Sequence, residues 1–154
     1  MNEEKFLTRA MIKLIEGKGN EAVEAANLCP GSWVARCISS MAYSFFLFEP
    51  TAGVEALGGL AEVQKLMQSE CAEKYFFRGN SARFRKEPEA ALTDLRKADT
   101  LDPDNPFIQF SLMLVCAEQG LTEELDQTIT RFIYAHPKHP LLVTMGNMFG
   151  AVKE

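Results

Sequence analysis

The side chains able to do chemistry are few and poorly spaced for it. His136 and His139 are the only histidines and stand three apart in His-Pro-Lys-His-Pro. A zinc site needs three or four ligands, and no cysteine or acid has zinc-like spacing beside this pair. They read as loop residues between two helices. Cys29, Cys37, Cys71 and Cys116 are scattered, with no Cys-x-x-Cys pair, the pattern of buried, reduced thiols in a cytoplasmic protein. Gly17-Lys18-Gly19 lacks the preceding strand of a phosphate-binding loop, and Gly58-Gly59 reads as lying inside a helix, where close packing would explain it. Neither Gly-x-Ser-x-Gly nor His-Glu-x-x-His occurs. The expectation is a protein without catalytic residues, metal or cofactor.

Charge narrows the partner class. The 154 residues hold 16 Lys+Arg against 21 Asp+Glu, net −5, with 47% hydrophobic and 24% charged residues. That is the composition of one folded domain, and the acidic balance argues against general nucleic-acid binding. The charge is uneven. Residues 71–105 carry seven basic and seven acidic side chains, whereas 1–70 carry six and nine. Arg78, Arg83, Arg85 and Lys86, followed by Arg96-Lys97, form the one basic cluster. Nearby Glu87, Glu89, Asp94 and Asp99 make a solvated, balanced face the simpler reading, with an acidic partner as the sharper one. Met1-Asn2-Glu3-Glu4 is acidic where a secretory signal is basic, and Phe107–Ala117, the most apolar stretch, is too short to span a bilayer. A cytoplasmic location without membrane insertion is expected.

Hydrophobic periodicity places these residues on helices throughout. Glu3–Glu16 carries Phe6, Leu7, Ala10, Met11, Leu14 and Ile15 on one stripe, and Glu21–Leu28 follows the Gly17–Asn20 turn. Ser32–Phe48 and Thr51–Gln68 form a second pair, broken at Glu49-Pro50 and with Thr51 as the expected cap of the later helix. Ala72, Tyr75, Phe76, Gly79 and Ala82 share one helix face, and Ala91, Leu95 and Ala98 share another. Small residues at Gly79, Ala91 and Ala98 permit close helix approach. Pro103 and Pro106 cannot continue a helix. Pro140–Val152 makes a last helix with Leu141, Leu142, Met145 and Met148 apolar. About nine helices and no strand are expected, an all-α chain.

Pro103 and Pro137 lie 34 residues apart, the period of a helix–turn–helix repeat. The segment 72–105 resembles the tetratricopeptide repeat family. Counting from Ala72, the aromatic fourth position is Tyr75, the small eighth is Gly79, the close-packing alanines are Ala91 and Ala98, and Leu101-Asp102-Pro103 is the usual ending. Arg78 and Ala82 depart from the usual Leu and Tyr. Segment 106–139 keeps Leu112 and Gly120 but has Leu125 and Phe132 where small residues are usual. The resemblance implies a helical-repeat solenoid in one domain, 1–154. Its parts would be a divergent helix pair (1–31), a weak repeat (32–71), a clear one (72–105), a fair one (106–139) and a capping helix (140–154).

The same resemblance implies a concave, protein-binding groove. Its expected lining includes Phe46, Phe76, Asn80, Arg83, Phe107, Phe110, Leu114 and Met148, with Ala151 at the far end. Family members that grip a C-terminal carboxylate use a set of Lys, Asn and Arg residues of which only Asn80 is present here, so that mode is disfavoured. An apolar wall instead suits an amphipathic or extended apolar segment of a partner. Size, charge, repeat number and groove character are similar to those of the small tetratricopeptide chaperones of bacterial type III secretion. Two alternatives stand beside this one. The first is a general assembly adaptor or a homodimer that buries helix 107–117 against its own copy. The second is a binder of an acidic partner through the basic face around Arg83.

Overall fold

A computed structural model describes residues 2–150, so Ala151 lies outside the described residues. The chain is all-α, with helices packed as successive pairs in a repeat-like order. Among the described residues there are ten helices: α1 Glu3–Ile15, α2 Gly19–Ala26, α3 Trp33–Phe45, α4 Pro50–Ala56, α5 Leu60–Gln68, α6 Ala72–Phe84, α7 Pro88–Leu101, α8 Pro106–Gln119, α9 Thr122–Ala135 and α10 Leu141–Phe149. No helix among them is long and apolar enough to cross a membrane. They form two compact units, Met1–Phe77 and Arg78–Glu154, with the boundary inside α6.

In the first unit, α1 buries Leu7, Ala10, Met11 and Leu14 against α2 and α3. Its acidic first turn, Glu3 and Glu4, complements the positive end of the helix. The turn to α2 relies on glycine. A Cβ on Gly19 would stand 3.0 Å from Leu47 Cγ and 3.1 Å from Phe46 Cβ. Ser32 caps α3, its hydroxyl accepting from the Ala35 N–H at 3.3 Å. At the α3–α4 contact a Cβ on Gly53 would lie 2.6 Å from Ser44 Oγ and 3.1 Å from the Ser40 carbonyl.

The expected helix Thr51–Gln68 is two helices, which accounts for ten rather than about nine. Gly58 and Gly59 are at φ +105° and +100°, outside the helical region, so they break the segment where close packing was expected. Two adjacent glycines make this break cheap for the backbone. Thr51 is not the cap. Glu49 occupies that position and Pro50 opens the helix, its fixed φ and missing N–H suiting the first turn.

In the second unit, the small-residue pattern does what its spacing requires. A Cβ on Gly79 would come within 2.7 Å of Leu95 Cγ and 3.3 Å of the Ala91 carbonyl. Ala82, Ala91, Leu95, Leu112, Val115 and Cys116 form one buried cluster, flanked by Leu92, Leu121 and Leu125. Asn105 caps α8, accepting from the N–H groups of Phe107 (2.9 Å) and Ile108 (3.1 Å). Helix α8 is buried at every position from Phe107 to Cys116, which explains its uniformly apolar sequence. Gly120 ends it in the left-handed conformation at φ +72°.

Candidate functional site

The eight expected groove residues have mostly other neighbours. Phe76 is fully buried and meets Trp33 edge-on, with ring centroids 5.5 Å apart. Phe46 is half-buried and faces the Gly17–Gly19 turn. In the second unit Phe107, Phe110, Leu114 and Asn80 are buried. Phe107 packs edge-on against His139 at 5.6 Å, and His139 in turn meets Phe132 at 5.5 Å. Met148 alone is substantially exposed, at 47%. An apolar wall open to a partner is therefore not formed by these phenylalanines. Each was assigned to the groove from its place in a repeat, but large aromatic surface in a small fold is covered by the chain's own helices first. The same applies to self-pairing through 107–117: α8 is already covered within one chain.

The basic cluster is engaged as well. Arg83 presents its fork to Glu118, with the shortest contact at 2.7 Å, and its side chain is only 16% exposed. Arg78 pairs with Asp94 at 3.0 Å, Arg85 with Glu87 at 3.3 Å, Arg96 with Glu124 at 2.6 Å and Arg131 with Asp99 at 2.7 Å. Hydrogen bonding from Arg96 holds the Glu124 carboxyl below the usual carboxylate range, against the opposing effect of burial. Arg83–Glu118 links α6 to α8, Arg96–Glu124 and Arg131–Asp99 link α7 to α9, Arg78–Asp94 joins α6 to α7, and Arg85–Glu87 lies within the turn between α6 and α7. Arg78, Arg83 and Arg96 are thus spent on neighbouring helices, and Arg85 on a residue of its own turn.

His139 is buried, its Nδ1 accepting from the Leu141 N–H at 3.0 Å. It therefore starts α10 from inside the fold rather than standing in an open loop. No three His, Cys, Asp or Glu side chains converge on a metal-sized site among the described residues.

What periodicity missed lies in the first unit. One cleft, about 340 Å³, is lined by Trp33, Arg36 and Cys37 of α3, by Leu57, and by Lys65 and Leu66 of α5. A second, about 600 Å³, runs between α3 (Ala35, Ser39, Tyr43) and α4 (Ala52, Ala56). Arg36 lines both. Five of the seven arginines are paired with carboxylates and Arg9 lies 6.0 Å over the Phe6 ring. Arg36 has no ion pair among the described residues. In the same unit, Phe48 is 82% exposed at φ +56° and Leu60 is 64% exposed. Helix α5 has no buried residue, although Val63, Leu66 and Met67 recur on one side of it. The available signal was the Gly58-Gly59 pair: a helix cut off from its predecessor loses the packing that a continuous one would have had.

No protein-family model matches the chain, and no curated protein matches it.

Proposed function

We propose that this chain is a non-enzymatic protein-binding module of tetratricopeptide-like helix pairs, acting in the cytoplasm on an apolar or amphipathic segment of a partner. At finer grain it acts as a small chaperone that holds such a segment of a secreted protein before export. The observation that carries the reading is the uncovered apolar surface of the first unit. Phe48 and Leu60 are exposed in a unit that also holds two clefts, one of them lined by α5, and exposed apolar side chains of this size gain most when a partner's apolar segment covers them. The docking surface is thus assigned to α3, α4 and α5 rather than to the phenylalanines first read as the groove.

The test is affinity capture from source-cell lysate with wild-type bait and with a Phe48→Ser, Leu60→Ser bait. Both substituted residues are exposed, so circular dichroism and the thermal midpoint should be unchanged. A protein held by the wild type alone, and bound again as an isolated apolar segment, supports the reading. Equal retention by both baits, or none by either, overturns it.

Self-assembly is the second reading. It is favoured by α10, which has no charged residue over Leu141–Phe149 and leaves Val143 72% and Met148 47% exposed. On a chain of net charge −5, an uncharged face is where two copies meet with least repulsion. Sedimentation of wild type against Val143→Lys decides it: a mass independent of concentration in the wild type removes this reading.

A further inference from the structure

Helix α5 differs from every other helix in how it is held. It buries none of its nine residues. It is preceded by Gly58 and Gly59 at φ +105° and +100°, and the ψ of 172° at Gly59 places that residue in a region open essentially to glycine alone. It is followed by Ser69 in extended conformation (φ −89°, ψ 151°) and by the non-helical Glu70 and Cys71. Both ends are therefore joints. Its internal hydrogen bonds are its own, and the bonds at the glycine joint close α4: the Gly58 N–H donates to the Glu55 carbonyl at 2.9 Å and the Gly59 N–H to Val54 at 3.0 Å. Lys65 and Leu66 form one wall of the 340 Å³ cleft whose floor is Trp33 and Cys37 on α3. Moving α5 as a rigid body thus breaks few contacts and leaves α1–α4 intact.

We propose that α5 is a hinged lid, swinging on Gly58-Gly59 and Ser69–Cys71 to uncover the Trp33–Cys37 floor. The motion belongs to the low end of the local-opening range, because a segment with little buried apolar area separates from its unit long before the unit unfolds. Opening uncovers Trp33 and Cys37 together with Leu66 on α5, in a cleft that also carries the charged Arg36, Glu62, Lys65 and Glu73. The inference does not depend on what partner, if any, occupies the cleft, and its test uses none.

Cys37 is the reporter. Its side chain is 1% exposed, and burial pushes its thiol well above the ordinary value, so it reacts only when uncovered. The full chain carrying Cys71→Ser, which removes the half-exposed thiol of the same cleft, is treated with N-ethylmaleimide and labelling at Cys37 is followed by peptide mass spectrometry. Amide exchange of α1 and α3 in the same sample reports opening of the whole unit. The lid requires a Cys37 opening constant at least tenfold above that of the α1 and α3 amides, with a shallower dependence on urea, since less surface is exposed. Leu66→Ala should raise Cys37 labelling further, about tenfold, and leave α1 exchange unchanged. Gly59→Ala, strained in the closed position, should do the same; if it fails to fold, Leu66→Ala carries the test. Equal opening constants with equal urea dependence overturn the proposal, as does a Leu66→Ala variant that leaves Cys37 labelling unchanged or shifts α1 exchange by the same factor.

Discussion

The two units are built from the same kind of helix pair and are held very differently. In Arg78–Glu154, α7, α8 and α9 have 14 residues each; a glycine at the α6–α7 contact lets the helices close on one another, and arginine–carboxylate pairs link α6 to α8 and α7 to α9. In Met1–Phe77, α4 and α5 have seven and nine residues, and a double glycine separates them. The first arrangement spends its arginines on internal pairs, though Tyr134, Val143 and Met148 stay exposed. The second leaves Phe48 and Leu60 exposed and, among the described residues, leaves Arg36 without an ion pair. Repeat-like architecture thus fixes how neighbours stack, while the quality of each pair decides which surface remains free for another molecule.

The largest effect that sharpens this contrast is expected at Phe110. Truncation to alanine in the fully buried α8 should cost about 3–5 kcal/mol, read as a lower urea midpoint, and a cost near zero would mean that the second unit is loosely packed after all. Gly79→Val comes next, at about 1–3 kcal/mol, because even a first Cβ meets Leu95 at 2.7 Å; differential scanning calorimetry checks it.

A smaller effect is expected at the Arg96–Glu124 pair. The side chains are 51% and 27% exposed, so screening limits Glu124→Gln to less than about 1 kcal/mol at neutral pH. The sign follows from the depressed carboxyl. Its contribution is present above the ordinary glutamate value of 4.5 and is lost as the pH falls through the lowered one. Wild type and Glu124→Gln should therefore differ at pH 7 and converge in acid, and 1 M salt should narrow the gap at pH 7. Smallest of all, Phe48→Ser should change stability by no more than about 0.5 kcal/mol, in thermal melts run beside the capture experiment. A large loss there would show that Phe48, though 82% exposed, belongs to the fold.

Much of the helical order was legible. The stripe Leu7, Ala10, Met11, Leu14 predicted α1 and its buried face, Ser32 predicted the start of α3, and the repeat start at Pro106 with Gly120 bracketed α8. Gly58-Gly59 was the misreading, because a glycine pair in a helical pattern serves equally for close packing or for a break, and only the backbone distinguishes them. The expected groove failed for a related reason. Repeat position assigns a side chain to a helix face, yet Phe76 and Phe107 are taken up by Trp33 and His139, contacts that periodicity does not encode.

By itself the sequence determined the helices, most of their ends and their apolar faces, since capping, proline, glycine and 3.6-residue periodicity act locally along the chain. Tertiary structure alone decided which apolar face is covered, which arginine keeps a free fork and where clefts remain. Those outcomes are set by competition among residues far apart in sequence for the same buried volume and the same counter-charges, and no local pattern records who wins.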